Sequence, residues 1–169
     1  PESAEPVAVP GLTGVDEIAA AGFRTCARIG GAVQCWGQNL LGQVGDGTKE
    51  ERRSPVAVVG LTDAISLHLG QNHAFARRAD GTTVGWGLGY SGQFHDGGAP
   101  GFRLTPVVLL DPGGVDPWVG VKEVLAGGNS YTCVVDADDV IWCWGLNSFG
   151  ELGDGTSGGS RTKPEPVAW

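Results

Sequence analysis
Hydrophobic residues along the chain fall into short runs separated by turn residues, and three pairs of runs have the form of a hairpin. Cys26–Ile29 and Val33–Trp36 flank Gly30-Gly31, Phe75–Arg77 and Thr83–Trp86 flank Asp80-Gly81, and Cys133–Val135 and Val140–Trp144 flank an Asp-rich turn. A short apolar stretch precedes each hairpin, at Ile18–Ala21, Ile65–Leu69 and Val121–Leu125. A Pro-led strand follows at Pro55–Val59 and Pro106–Leu110. Each unit thus predicts about four short antiparallel strands, the content of one propeller blade.

The units are copies of one another. Trp36-Gly-Gln-Asn-Leu-Leu-Gly-Gln-Val-Gly-Asp-Gly-Thr48 matches the segments beginning at Trp86 and Trp144 over thirteen residues without a gap, with periods of 50 and then 58 residues. Gly37, Gly87 and Gly145 lack a Cβ where another backbone or ring would approach. Asn39, Gly89 and Asn147 predict a left-handed turn, and Gly42, Gly92 and Gly150 a second special backbone site. Val44, Phe94 and Leu152 point inward, and Asp46-Gly47, Asp96-Gly97 and Asp154-Gly155 are turn dipeptides. The approximate blades are 13–61, 62–110 and 119–169. Residues 6–12 resemble Pro55–Leu61 and predict an extra terminal strand of a preceding period. At the other end Pro166-Val167-Ala168-Trp169 reads as that same strand, although Pro164 matches Pro55 equally well.

Composition supports an all-β protein. Thirty of the 169 residues are Gly, only 18% are charged, and Gly costs about 1 kcal/mol relative to Ala inside a helix. The net charge of −8, with Lys only at 49, 122 and 163, repels phosphate and disfavours nucleic acid and anionic membranes as partners. No apolar run approaches the roughly 20 residues that span a bilayer, so membrane insertion is not expected. A chain that begins at Pro1, contains no Met and shows no signal peptide is expected to be a processed product, a fragment or part of something longer.

Cys35-Trp36-Gly37 and Gly42-Gln43-Val44-Gly45-Asp46-Gly47-Thr48, with their two further copies, resemble the repeat of the regulator of chromosome condensation family. His73 stands at that family's His position, which Arg24 and Tyr131 fill in the other copies. The resemblance implies β-propeller blades. The family's complete propellers usually have seven, so three blades form an incomplete ring. An open edge strand is a template for pairing, and self-association or a larger propeller is expected. The resemblance also implies protein-binding surfaces of the kind found in inhibitor and exchange-factor propellers.

The four Cys fall in two columns of the repeat, and the middle copy lacks both, with Phe75 and Gly85 in their places. Joint loss predicts disulfides Cys26–Cys35 and Cys133–Cys143, each worth roughly 2–3 kcal/mol and implying a secreted, periplasmic or cell-surface location. The rival readings are buried free thiols and, more remotely, a zinc site. Asp46, Asp96 and Asp154 recur, as do Arg52, Arg103 and Arg161. A site needs one copy, so each Asp is expected to cap its turn and pair with the Arg six or seven residues on. Asp136–Asp139 reads as a turn rather than a calcium loop, and His68, His73 and His95 do not converge. Trp36, Trp86 and Trp144 belong to the core of the repeat. Trp118, in the inserted loop 111–120, is either a partner contact or a staple folded back on the blade. No catalytic motif and no cofactor or metal motif stands out. The expected role is a non-enzymatic, protein-binding or assembly module.

Overall fold
The computed structural model describes residues 5–128 and 130–167. They form twelve strands and no helix, arranged as three four-stranded antiparallel sheets in plain sequence order. The first sheet holds β1 (Glu17–Ala21), β2 (Arg24–Ile29), β3 (Ala32–Gly37) and β4 (Arg52–Ala57). The second holds β5 (Ala64–Leu69), β6 (His73–Arg78), β7 (Thr83–Gly89) and β8 (Gly101–Val108). The third holds β9 (Glu123–Gly127), β10 (Tyr131–Val135), β11 (Ile141–Leu146) and β12 (Ser160–Pro166). The sheets stack as a fan, first on second and second on third, chiefly through β1, β5 and β9. The fan does not close into a ring.

Two apolar layers hold it together. Between the first and second sheets lie Cys26, Val33, Cys35 and Val44 on one side and Leu67, Ala74, Val84 and Trp86 on the other. Between the second and third lie Phe75, Phe94 and Leu109 against Val124, Val134 and Trp144. Alternation along each strand decides the side: the Cys face of a sheet meets the following sheet and the Trp face meets the preceding one.

The register slips at each repeat Trp. β3 pairs with β4 at Cys35 and Gly37 but not regularly between them, and the same irregularity recurs at Gly85/Gly87 and Cys143/Gly145. Such a bulge adds twist and re-aims the residue it contains. Gly37, Gly87 and Gly145 adopt φ of 110°, 100° and 107°. A Cβ there would run into the carbonyl oxygens of Phe23, Asn72 and Ser130. This is the backbone approach expected of the residue after the Trp.

Pairing also fixes the C-terminal register. Cys35 pairs with Val56 and Cys143 with Glu165, so Pro164 is the counterpart of Pro55 and β12 is the fourth strand of the third sheet. Ala168 and Trp169 lie outside the described residues. Residues 6–12 take part in no strand, and none of the three sheets offers the period they would complete.

Candidate functional site
The internal junctions show how one sheet recognises the next. The Trp86 indole N–H donates to the Gln43 carbonyl at 3.0 Å, and Trp144 donates to the Gln93 carbonyl at 2.9 Å, joined there by the Thr132 hydroxyl at 3.0 Å. The Gly-rich loop of the earlier sheet lies flat on the later one. A Cβ at Gly45 would sit 2.8 Å from the Trp86 ring, and one at Gly42 would sit 2.7 Å from Leu104. The Gly47 N–H donates to the Leu104 carbonyl at 2.9 Å. In the second junction Gly92 abuts Thr162, the counterpart of Leu104, and the His95 imidazole lies between the carbonyls of Thr162 and Asp111. Near β5 and β6, Arg24 donates to the carbonyls of Gln71 (2.8 Å) and His73 (2.6 Å). Burial of that guanidinium lowers its pKa to about 10.

Each loop is held in shape by its own side chains. The Asn39 amide donates to Asp46 and to the Thr48 carbonyl, while its oxygen accepts from the Val44 N–H; Asn147 repeats the pattern. Neither Asn has positive φ, and nor does Gly89, so the expected left-handed turn at this column is not present. The column carries a side-chain brace instead, and in the second loop Gly89 makes room for the Phe94 ring. Positive φ does occur at Gly42, Gly92 and Gly150. The recurring carboxylates accept from the turn N–H groups of Thr48, Gly98 and Thr156. Each pairs with its Arg: Asp46 with Arg52, Asp96 with Arg103, and Asp154 with Arg161 at 3.6 Å. Partial burial opposes the charge on Asp46 and Asp96, but the Arg52 and Arg103 hydrogen bonds win and lower both pKa values. These acids serve turns and are spread over three loops.

The two outer faces present the same surfaces without a partner sheet among the described residues. On the first sheet Trp36 is half-buried and has no indole acceptor like those of Trp86 and Trp144. Ile18 is 66% exposed, whereas its counterparts Leu67 and Val124 are 5% and 0% exposed. Phe23, Trp36, Gly37, Gln38, Glu51, Arg52 and Arg53 line a concavity of about 430 Å³ there. On the third sheet the Cys face is outermost, with Leu125 56% exposed and the Gly150–Gly155 loop touching no further sheet. No catalytic motif in the sequence points to these faces. The signal in the sequence is that Ile18 and Trp36 align within the repeat with residues that other sheets bury.

Both disulfides are formed, Cys26 to Cys35 across β2 and β3 and Cys133 to Cys143 across β10 and β11. In the second sheet Phe75 covers Gly85, where a Cβ would strike the rings of Phe75 and Phe94. Trp118 does not stand out as a partner contact. It is 6% exposed and packs on Trp142 and Trp144 at centroid distances of 5.9 and 6.1 Å, because the inserted loop turns back through bridges Leu110–Pro117 and Thr82–Val119. The staple is the reading the structure supports. Asp136 caps its turn and accepts from the Trp142 indole, and no group of metal-ligating side chains occurs among the described residues.

The Regulator of chromosome condensation (RCC1) repeat model matches residues 30–77, and a second model of the same repeat matches 124–151. The chain is 29% identical over 143 residues to the ultraviolet-B receptor UVR8 of Arabidopsis thaliana, covering 82% of this chain and 31% of the receptor. It is 27% identical to the human probable E3 ubiquitin-protein ligase HERC3, covering 99% of this chain and 16% of the ligase. It therefore spans less than a third of the curated relatives it matches. Among solved structures, yeast RCC1 (Prp20) bound to Kap60 superposes with a TM-score of 0.76 at 21% identity, covering 94% of this chain and 39% of that one. Human WBSCR16 gives 0.76 at 23%, covering 90% and 37%.

Proposed function
Because this chain is built of regulator of chromosome condensation repeats, in a family of protein-binding propellers, we propose that it is a non-catalytic assembly module whose two outer sheet faces dock onto further blades. One observation carries the reading: each outer face repeats a surface that the chain itself buries at an internal junction, down to the exposed Ile18 where Leu67 and Val124 are covered. An apolar face of this kind is favourable to remove from water at roughly 25 cal/mol per Å². The further blades belong either to other copies or to a larger propeller. The two disulfides favour an oxidising compartment, so the reading includes a secreted, periplasmic or cell-surface location. The recurring Asp–Arg pairs support structural rather than catalytic carboxylates.

The mass of the native particle, recovered without reductant and compared with one chain, tests this. The expected particle is larger than one chain, with slow amide exchange at β1 and at β9. A native particle of one chain with both faces freely exchanging would end the proposal.

A further inference from the structure
At each internal junction the Gly-rich loop brings an uncharged Gln to the next sheet, and beside the first the Lys49 ammonium lies over the Phe102 ring at 3.7 Å. Gln43 and Gln93 occupy the loop position, each folded so that its side-chain oxygen accepts from the N–H two residues earlier, Leu41 at 2.7 Å and Ser91 at 2.8 Å. Both are buried, at 1% and 0% exposure. The Gly just before each Gln, Gly42 or Gly92, abuts Leu104 or Thr162 on the receiving surface. The outer faces differ from this in a matched way. The third loop has Glu151 in place of Gln, in the same local fold, accepting from the Phe149 N–H at 2.8 Å. The first sheet has Arg53 in place of Leu104 and Thr162, on the rim of the 430 Å³ concavity beside Trp36.

Burying Glu151 as Gln43 and Gln93 are buried would strand a carboxylate unless a cation came with it. Among the described residues Arg53 makes no ion pair, whereas Arg52 beside it is held by Asp46 and Glu50. Glu151 and Arg53 stand in the third and first sheets, each the one charged member of its own column, Gln43/Gln93/Glu151 and Arg53/Leu104/Thr162. We infer that the third sheet of one copy docks on the first sheet of a second copy, with the Glu151 carboxylate against the Arg53 guanidinium and the Trp36 indole N–H donating to the Glu151 carbonyl. The inference rests on reading the outer faces as docking faces and adds the identity of the occupant. The contact is heterologous, so it propagates until a ring closes or a filament forms.

The purified chain tests it by sedimentation across a concentration series up to about 100 µM, the range of weak protein contacts. Wild type is expected to gain mass with concentration. Arg53→Glu and Glu151→Arg alone should each weaken association at least about tenfold, since like charges then face each other. An equimolar mixture of the two variants should regain it, because both of its junctions are again complementary. Glu51→Ala, which removes a carboxylate from the receiving concavity, should tighten association. Near-ultraviolet circular dichroism checks that each variant is folded. Association unchanged in the single variants, or no recovery on mixing, overturns the inference. So does a wild type that stays at single-chain mass; a larger native particle would then still uphold the docking faces, with a different occupant.

Discussion

His73 is wholly buried beside Phe75 and Phe94, and it carries no charge inside the fold. Burial, then the nearby Arg24 guanidinium, lowers its pKa from 6.5 to about 3, against a smaller opposing contact with the Tyr131 backbone. Because the folded value lies below the unfolded one, the stabilisation is complete above pH 6.5 and is lost as pH falls toward 3. In that window the unfolded chain takes up a proton that the folded chain refuses, a slope of up to about 1.4 kcal/mol per pH unit. The melting temperature should therefore fall on acidification, and His73→Gln should flatten the limb just below pH 6.5. Parallel curves for wild type and variant would contradict this. The lowered pKa values of Asp46 and Asp96 add their loss further down, as pH falls through the carboxylate range. At this scale the sequence was legible where a residue type has one physical use, as with the Gly after each Trp or the Asp of each turn. It was not legible where one residue serves two: Asn39 suits positive φ and also suits bracing a loop, and only the partners Asp46, Thr48 and Val44 decide for the brace. Trp118 posed the same problem, since its contact with Trp142 joins residues far apart in the sequence.

The hairpins make the element. Cys26 pairs directly with Cys35 and Cys133 with Cys143, while in the second sheet Phe75 pairs with Gly85 and fills the space with a ring. The joint absence of both Cys in one copy was thus readable as a covalent cross-strand pair replaced by an aromatic one. Strand register was less readable, since Pro164 and Pro166 fit the Pro-led strand equally until the ladder of β11 and β12 fixes Pro164. The two bridges sit on Cys faces with different covers. Cys26 and Cys35 are both 0% exposed between the first and second sheets, whereas Cys133 is half-buried on the outer side of the third. Exchange requires a thiolate to reach a sulfur, so access orders the reactions. Under mild reductant without denaturant, alkylation mapping should find Cys133 and Cys143 modified before Cys26 and Cys35. The reverse order would show that the fan does not shield the first bridge.

At the scale of the whole molecule, three sheets bury two interfaces and leave two faces of the same design outermost. That number was legible from the three-fold repeat, and so was the open fan. The chemistry of the outer faces was not, because Ile18, Arg53 and Glu151 look ordinary until the columns are superposed on a solved junction. Trp36 stands in one chain as Trp86 and Trp144 would stand without their preceding sheets. Indole N–H exchange read by nuclear magnetic resonance measures this directly. In dilute single chains the Trp86 and Trp144 indole protons should exchange slowly and that of Trp36 fast, and as copies associate the Trp36 proton should join the slow set. A Trp36 proton already slow in the dilute chain, or one still fast in the assembled particle, would show that the Trp36 face is not a docking face.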